Sequence, residues 1–254
     1  MTHSACLLSK EHFDAVIFDL DGVITQTAKL HAKAWKEMFD FFLLEYGKAQ
    51  GKHFVPFDIK KDYLAYVDGK PRYEGVKSFL KARGIHLPFG SPDDSVDLET
   101  LCGLGNRKNM LFIRYLKENK VEVFESSIAL IKQLKKKHFK LAIVSSSKNC
   151  TAILENAGVL DLFDVKIDGN TAEMLKLKGK PDPDIFLQAA KELHVAPKRA
   201  AVFEDALAGV KAAVQGHFGY VVGVNRTDIG KDLKKNGADS VVLDLSEVHV
   251  EDGG

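Results

Sequence analysis

Two aspartates one residue apart, Asp19 and Asp21, follow the apolar run Ala15–Phe18 and precede Gly22. The apolar run indicates a buried strand, so both carboxylates should lie at its C-terminal end, where open α/β sheets bind their ligands. Such a pair suits Mg²⁺, a hard cation that is often bound by one or two carboxylates and a substrate phosphate. A carboxylate can also attack phosphorus and form an aspartyl phosphate. The alternative for so short a motif is a strand that enters a glycine turn with solvated acids.

Hydroxyl groups and a lysine follow later predicted strands. The strand Lys140–Val144 is followed by the run Ser145–Asn149, which leads into a helix N-terminus, where backbone N–H groups favour a phosphate. The alternative is an N-cap with spare hydroxyls. Lys180 precedes another predicted helix in a loop that contains Pro181 and Pro183. Its ammonium group could neutralise a phosphate and a nucleophilic carboxylate, and the alternative is a solvated lysine.

A second acidic pair, Glu204-Asp205, follows the apolar strand Ala200–Phe203. Two acidic strand ends in one parallel sheet repel each other unless a cation lies between them. This repulsion favours a metal site over two independent solvated pairs.

Single helices separate the predicted strands, which indicates an α/β fold with a parallel, doubly wound sheet. After the first strand, the predicted strands are Lys140–Val144, Phe163–Ile167, Ala200–Phe203, Tyr220–Val224 and Ser240–Leu243. The predicted helices of this part are Ser126–Lys137, Asn149–Ala157, Asp184–Leu193, Ala206–Gln215 and Asp228–Asn236. We expect the final residues, 250–254, to fray.

The segment 27–122 interrupts this alternation and is predicted to be helical. Apolar residues from Leu30 to Phe42 have helical spacing, and further helices are predicted at Asp58–Tyr66, Arg72–Ala82 and Asn106–Glu118. We therefore expect a core domain of residues 1–26 and 123–254 and a helical cap domain of residues 27–122. Such lids exclude water from reacting phosphates.

Composition excludes several classes of protein. The 254 residues are 45% hydrophobic and 28% charged, and 36 Lys and Arg against 35 Asp and Glu leave a net charge of +1. No global charge indicates a nucleic-acid or membrane partner. Three widely spaced cysteines argue against a disulfide framework. The start of the chain does not resemble a signal peptide and no segment is long enough to span a membrane, so we expect a cytoplasmic protein. We also expect a monomer.

The order Asp19-x-Asp21, Ser145, Lys180 and Glu204-Asp205 resembles the haloacid dehalogenase superfamily at its four core motifs. The segments 18–25, 147–149 and 180–186, and His31 with Ala34-Trp35, are similar to the beta-phosphoglucomutase branch. The resemblance implies a Rossmann-like core with an inserted all-helical cap. It implies that Asp19 is the nucleophile, that Asp21 is the general acid and base, and that Ser145 and Lys180 hold the phosphate. Asp19, the Asp21 carbonyl, Glu204 and Asp205 would bind Mg²⁺.

The same resemblance assigns substrate binding to a further set of residues: His31, Gly69, Arg72 and Lys108 of the cap, and Ser147, Lys148 and Asn149 of the core. Three of the cap residues have an alternative. His31 could pack against Trp35, Arg72 could pair with Glu74, and Lys108 could lie on a solvated helix face. Gln26, where the branch usually has an acid, and the insertion 84–98 depart from the pattern, which leaves the identity of the sugar open.

The resemblance implies a phosphosugar substrate and a mutase that converts beta-glucose 1-phosphate to glucose 6-phosphate, primed by a sugar bisphosphate. A phosphatase of the same type, in which water attacks phospho-Asp19, is the nearest alternative. A receiver-like phospho-switch also has acids, a hydroxyl and a lysine at strand ends, but the large helical insertion fits it poorly. A dehalogenase needs neither Mg²⁺ nor the acid at Asp21.

Overall fold

The computed structural model describes residues 6–53 and 55–251. The chain divides into two compact units, which we call the α/β unit (Met1–Gln26 and Val121–Gly254) and the helical unit (Thr27–Lys120). Every helix in the described residues is either too short or too polar to span a lipid bilayer.

The α/β unit contains a six-stranded parallel sheet with the order β4-β3-β2-β5-β6-β7. Its strands are β2 (Ala15–Asp19), β3 (Lys140–Val144), β4 (Val165–Ile167), β5 (Ala200–Glu204), β6 (Tyr220–Val224) and β7 (Ser240–Val242). All five residues of β2 and of β5 are buried. Strands covered on both faces are continuously apolar, which is the pattern of these two segments. The α/β fold and the parallel sheet predicted from the sequence are confirmed.

Helices cover the sheet and complete the core of this unit. They are α4 (Glu125–Lys136), α5 (Cys150–Ala157), α6 (Gly169–Met174), α7 (Asp184–Glu192), α8 (Leu207–Gln215) and α9 (Gly230–Lys235). Ile17 of β2, Val144 of β3 and Phe186 of α7 belong to one buried apolar cluster. Gly158 ends α5 in the left-handed conformation, with φ +71°, as its position after the helix predicts.

A separate two-stranded parallel sheet, which the sequence pattern does not predict, pairs β1 (Cys6–Leu8) with β8 (Val248–Val250). Both strands are three residues long and lie outside the alternation of strands and helices that identifies the equally short β4 and β7. The expectation that residues 250–254 fray is wrong for Val250, which lies in β8, and the Glu251 N–H donates to the Leu8 carbonyl at 2.9 Å. Residues 252–254 lie outside the described residues.

The helical unit consists of α1 (Ala28–Gln50), a π-helix (Tyr63–Val67), α2 (Arg72–Ala82) and α3 (Leu101–Glu118). Aromatic rings form much of its core: Phe39 of α1 stacks on Trp35 at 5.3 Å and lies 4.1 Å from Phe79 of α2, between ring centroids. The predicted helix Asp58–Tyr66 is wrong in its bounds, because only the π-helix forms there. The helix predicted at Asn106–Glu118 begins at Leu101 instead. Thr100 caps it by accepting the Gly103 N–H at 2.9 Å.

A buried aspartate, Asp168, organises the turn between β4 and α6. Its Oδ1 accepts the N–H groups of Asn170 and Thr171 at 3.0 and 2.9 Å, and its Oδ2 accepts from the Lys166 ammonium at 2.6 Å. Burial alone would raise the pKa of Asp168, but the hydrogen bonds from Lys166 and Thr171 outweigh it and lower that pKa below its usual value. The charged carboxylate is therefore the form that the fold stabilises.

We expect Asp168→Asn to lower the free energy of unfolding at neutral pH by about 1–2 kcal/mol, because the amide loses the charge-assisted bond to Lys166. A native pKa below the unfolded value means that this stabilisation is complete above pH ~4 and is lost as pH falls through the native pKa. Urea unfolding of the wild type and of Asp168→Asn at several pH values should therefore show that the difference in their free energies of unfolding becomes smaller in acid.

Asp164→Asn is the matched control at the other end of β4. Asp164 accepts the Leu141 N–H at 2.8 Å, and an amide oxygen can accept the same bond. We expect Asp164→Asn to change the free energy of unfolding by less than about 0.5 kcal/mol. A stability gap for Asp168→Asn that is independent of pH would contradict a role for its charge.

Candidate active site

The carboxyl ends of β3, β2 and β5 lie side by side at one edge of the sheet. Asp19 is the last residue of β2 and pairs in register with Val144, so Ser145 follows at the neighbouring strand end. Glu204 is the last residue of β5, on the other side of β2. Asp19, Ser145 and Glu204 are all buried, with exposed fractions of 6%, 2% and 1%. The fold thus brings three of the predicted strand-end groups together.

The ammonium group of Lys180 connects two of these strand ends. It donates to Oδ1 of Asp19 in a short contact and to Oε2 of Glu204 at 2.7 Å. Lys180 is 3% exposed, so the alternative of a solvated lysine is wrong. Burial alone would lower the pKa of Lys180, but the carboxylates of Asp19 and Glu204 outweigh it and raise that pKa above its usual value. The side chain is therefore a cation at neutral pH.

Asp19, Glu204 and Asp205 each offer a carboxylate oxygen, and these oxygens lie within 4.8 Å of one another. Oε1 of Glu204 also accepts the Ala206 N–H at 3.0 Å. Burial, and then the negative charge of Glu204, raise the pKa of Asp19 well above its usual value, although Lys180 opposes the shift. Three carboxylates near one ammonium leave excess negative charge in a buried place. Oxygen donors in this number fit a hard divalent cation.

The turn after β2 is tightly built around Gly22. Its φ is +86°, and a Cβ atom at this position would lie 1.8 Å from Oδ2 of Asp205. Only glycine accepts both the left-handed backbone and this close approach without strain. The Gly22 N–H donates to the Thr25 carbonyl at 2.8 Å, so the turn folds back on itself next to the half-buried Asp21. The turn therefore places Asp21 and Asp205 near the end of β2.

Side-chain hydroxyls shape the loop after β3. Oγ of Ser145 accepts the Ser147 N–H at 3.1 Å, and Oγ of Ser147 accepts the Asn149 N–H at 3.1 Å. The Ser145 N–H donates to Ile167 of β4, which fixes the residue beside the strand ends. Asn149 precedes α5 as its N-cap residue, and Lys148 pairs with Glu173 of α6 at 2.6 Å. The Ser145 hydroxyl therefore lies at the same sheet edge as Asp19.

A model of the haloacid dehalogenase-like hydrolases matches residues 13–217. The chain belongs to this family. Its sequence is 47% identical over 241 residues to a beta-phosphoglucomutase of Mycobacterium bovis, covering 94% of this chain and 92% of the relative. A crystal structure of a beta-phosphoglucomutase from Clostridium difficile is also similar, with a TM-score of 0.73, 28% identity and 92% of each chain covered. A phosphorylated carbohydrates phosphatase of Thermotoga maritima is 32% identical, over 90% of this chain and 94% of the relative.

Membership of the haloacid dehalogenase-like hydrolases makes the protein an enzyme, and its recognition from the sequence is confirmed. The family match covers all four core motifs, from Asp19 to Asp205. The catalytic and metal-binding roles of the individual residues stay predictions.

His31 and Lys108 lie together in the helical unit, with 2.7 Å between Nδ1 of His31 and Nζ of Lys108. The His31 ring stacks on Phe112 at 4.0 Å, and the Lys108 ammonium lies 5.0 Å from the Trp35 ring centroid. Lys108 is 5% exposed, so the alternative of a solvated helix face is wrong. A charged Lys108 can only donate, so in this contact Nδ1 of His31 would be the acceptor.

Gly69 and Arg72 lie at the start of α2. Gly69 has φ +67°, and Nη1 of Arg72 donates to the Gly105 carbonyl at 3.5 Å. Glu74, the alternative partner of Arg72, lies 3.9 Å from Lys77. The predicted substrate-binding residues of this unit therefore occur in two places, around Lys108 and around the first turn of α2.

The insertion 84–98 is fastened to α3 and α2 by a residue that the sequence analysis does not single out. Nδ2 of Asn106 donates to the carbonyls of Pro92 and Asp94, each at 2.9 Å, and its Oδ1 accepts from the Tyr73 hydroxyl at 2.9 Å. Tyr73 is the neighbour of Arg72. An asparagine within a helix, where its propensity is poor, is the sequence signal that could have found it.

Two side chains from later in the α/β unit bind the turn after β2 and are also missed. Oγ of Ser127 donates to the Val23 carbonyl at 2.6 Å, and Nε of Arg226 donates to the Gly22 carbonyl at 2.9 Å. Ser127 is in α4, whereas Arg226 follows the end of β6, at the same sheet edge as Asp19. That position after a strand is the only signal in the sequence.

We expect Gly22→Ala to weaken metal binding by about tenfold or more, because the added methyl group must displace the Asp205 carboxylate or the turn. Calorimetric titration with Mg²⁺ or Mn²⁺ would measure the dissociation constant. Gly158→Ala is the matched control, since Gly158 also has a positive φ but a Cβ there meets no atom within 4 Å. Equal metal affinity in the two variants would show that Asp205 does not bind the ion.

Proposed function

We propose that the protein is a Mg²⁺-dependent sugar-phosphate mutase that converts beta-glucose 1-phosphate to glucose 6-phosphate through phospho-Asp19. One observation carries this proposal: a buried carboxylate, an ammonium and a further acidic pair converge at the sheet edge of a chain that is 47% identical to a beta-phosphoglucomutase. Phosphoryl transfer demands little of a protein beyond such positioning and charge stabilisation.

In the proposed cycle, phospho-Asp19 first gives its phosphoryl group to the C6 hydroxyl of glucose 1-phosphate. The O6–P bond forms, the bond between phosphorus and Asp19 breaks, and Asp21 takes the hydroxyl proton as general base. The resulting bisphosphate reorients. Asp19 then attacks phosphorus at C1, Asp21 returns the proton to the departing O1, and glucose 6-phosphate leaves. A bisphosphate supplies the first phosphoryl group.

The residues at the sheet edge fit these steps. Lys180 holds the Asp19 carboxylate in one orientation and would neutralise a phosphate oxygen, and the Ser145 hydroxyl would donate to another. Bound at Asp19, Asp205 and Glu204, with the Asp21 carbonyl, Mg²⁺ would stabilise the charge of the transferring group. We assign the second phosphate of the bisphosphate to Arg72, whose planar fork can bind phosphate bidentately, and the sugar to His31, Lys108, Gly69, Ser147, Lys148 and Asn149.

The alternative is a sugar-phosphate phosphatase, and the 32% identity to the Thermotoga maritima phosphatase favours it as the second candidate. The two differ only in whether a sugar hydroxyl or water attacks phospho-Asp19. An assay with beta-glucose 1-phosphate and Mg²⁺, with and without glucose 1,6-bisphosphate, separates them if free phosphate and glucose 6-phosphate are measured independently. A mutase forms glucose 6-phosphate and depends on the bisphosphate, whereas a phosphatase releases phosphate without it.

We expect Asp19→Asn to abolish turnover and phosphoenzyme formation, because an amide keeps the shape of the side chain but cannot form an acyl phosphate. Acid quenching after incubation with radiolabelled acetyl phosphate would measure the phosphoenzyme. Asp14→Asn is the control just before β2, where Asp14 pairs with Arg199 at 2.6 Å, and it should retain turnover. A phosphoenzyme on the Asp19→Asn variant would place the nucleophile elsewhere.

We expect Arg72→Ala to reduce mutase flux by about 10²-fold, as for the loss of roughly 3 kcal/mol of charge-assisted contact. Hydrolysis of acetyl phosphate, which has a single phosphate, should fall far less. Lys77→Ala on the same helix, where Lys77 is exposed near Glu74, is the control and should leave both rates unchanged. Equal losses on both substrates, or no loss on either, would leave Arg72 without the proposed role and would favour the phosphatase.

A further inference from the structure

Arg226 joins three segments of the α/β unit that are far apart in sequence. Its Nε donates to the Gly22 carbonyl at 2.9 Å, and its Nη1 donates to the Leu243 carbonyl at 3.0 Å. The guanidinium carbon lies 3.7 Å from the centroid of the Phe124 ring. The side chain is 16% exposed, so these contacts form in a largely desolvated place. The turn that contains Asp21, the end of β7 and the start of α4 therefore share one cation.

Several carbonyl groups of the turn after β2 accept hydrogen bonds. The Leu20 carbonyl accepts the Thr25 N–H at 3.0 Å within the turn, whereas Ser127 binds Val23 and the Phe124 N–H binds Ile24 at 2.9 Å. Arg226 is the donor from outside the turn to the Gly22 carbonyl. This carbonyl belongs to the Gly22–Val23 peptide, and Gly22, with its φ of +86°, is the single residue between that peptide and Asp21.

We propose that Arg226 is a positioning residue for the reaction: by holding the Gly22 carbonyl, it fixes the Gly22–Val23 peptide and, through the backbone of Gly22, orients the Asp21 carboxyl for proton transfer. This inference rests on the proposed function, in which Asp21 is the general acid and base. A misplacement of about 1 Å can cost 10²-fold in rate, so a single backbone contact next to a catalytic side chain is sufficient for a kinetic role.

The shape of arginine explains why lysine cannot replace it. Nε and Nη1 donate in two fixed directions of a planar fork, toward Gly22 and toward Leu243, and the guanidinium carbon lies over the Phe124 ring. A lysine ammonium is a single point that keeps the charge but cannot make both bonds in this arrangement or stack its plane. Arg226→Lys therefore removes the paired hydrogen bonds to Gly22 and Leu243 with little change in net charge.

A purely structural role is the rival interpretation, in which Arg226 only fastens β7. Nη1 of Arg226 lies 3.4 Å from Asp244, which also accepts from Ser126 at 2.8 Å and from the Ser246 hydroxyl at 2.7 Å. Asp244→Asn weakens this side of the network and leaves the bond from Arg226 to Gly22 in place. This variant is therefore the matched control: it tests the attachment of β7 while the contact that would position Asp21 is kept.

The experiment compares Arg226→Lys and Asp244→Asn with the wild-type enzyme in three measurements: kcat and KM with beta-glucose 1-phosphate, the rate of Asp19 phosphorylation by acetyl phosphate, and Tm. Acetate leaves without help from a general acid, whereas a sugar alkoxide needs the proton of Asp21. For Arg226→Lys we expect kcat to fall by about tenfold or more, with KM and the acetyl phosphate rate within about threefold. Asp244→Asn should change kcat, KM and the acetyl phosphate rate by less than about threefold each.

Arg226→Gln, which keeps an amide donor without the charge, serves if the lysine variant is unstable, and the same separation of rates is expected. An unchanged kcat, an acetyl phosphate rate that falls as far as kcat, or an equal kcat loss in Asp244→Asn would each overturn the positioning role. A wild-type enzyme that forms no phospho-Asp19 would overturn the proposed function itself, and this inference with it.

Discussion

The ammonium group of Lys180 lies between two buried carboxylates that would otherwise repel each other. Taking an ion out of water costs several kcal/mol, and Asp19, Lys180 and Glu204 are all buried, so each depends on its neighbours for compensation. Loss of one partner would leave an uncompensated charge at a cost of about 3–5 kcal/mol. The contact therefore fixes the end of β2, the end of β5 and the loop before α7 in one arrangement, and the charge balance of the candidate site follows from it.

Much of the fold could be predicted because its strands are buried on both faces. β3, β6 and α2 have the predicted bounds, since an unbroken apolar run or a clear helical period leaves little choice. β1, β8, α6 and the π-helix could not be predicted. Each is short, and β1 and β8 also depend on each other from positions far apart in the sequence, with Cys6 opposite Val248. Local pattern contains no information about such partners.

The candidate site divides in the same way. Asp19, Ser145 and Glu204 could be placed together from the sequence because the ends of adjacent parallel strands must meet at one edge. The burial of Lys108 could not be predicted, since a lysine on a helix is usually solvated. Here the rings of Trp35, Phe112 and His31 surround it. Arg226 and Asn106 were missed because they contact backbone carbonyls, which any sequence provides and no motif marks.

The pairing of β1 with β8 has a mechanical consequence. Because the strands are parallel, with Cys6 opposite Val248 and Leu8 opposite Val250, a force that separates residue 6 from residue 250 slides one strand along the other. All hydrogen bonds of the ladder then bear the load together, whereas an antiparallel hairpin pulled at its two ends would open bond by bond. This small sheet therefore resists force in shear. Tension applied across the chain must break its hydrogen bonds before the tension reaches the six-stranded sheet that contains Asp19.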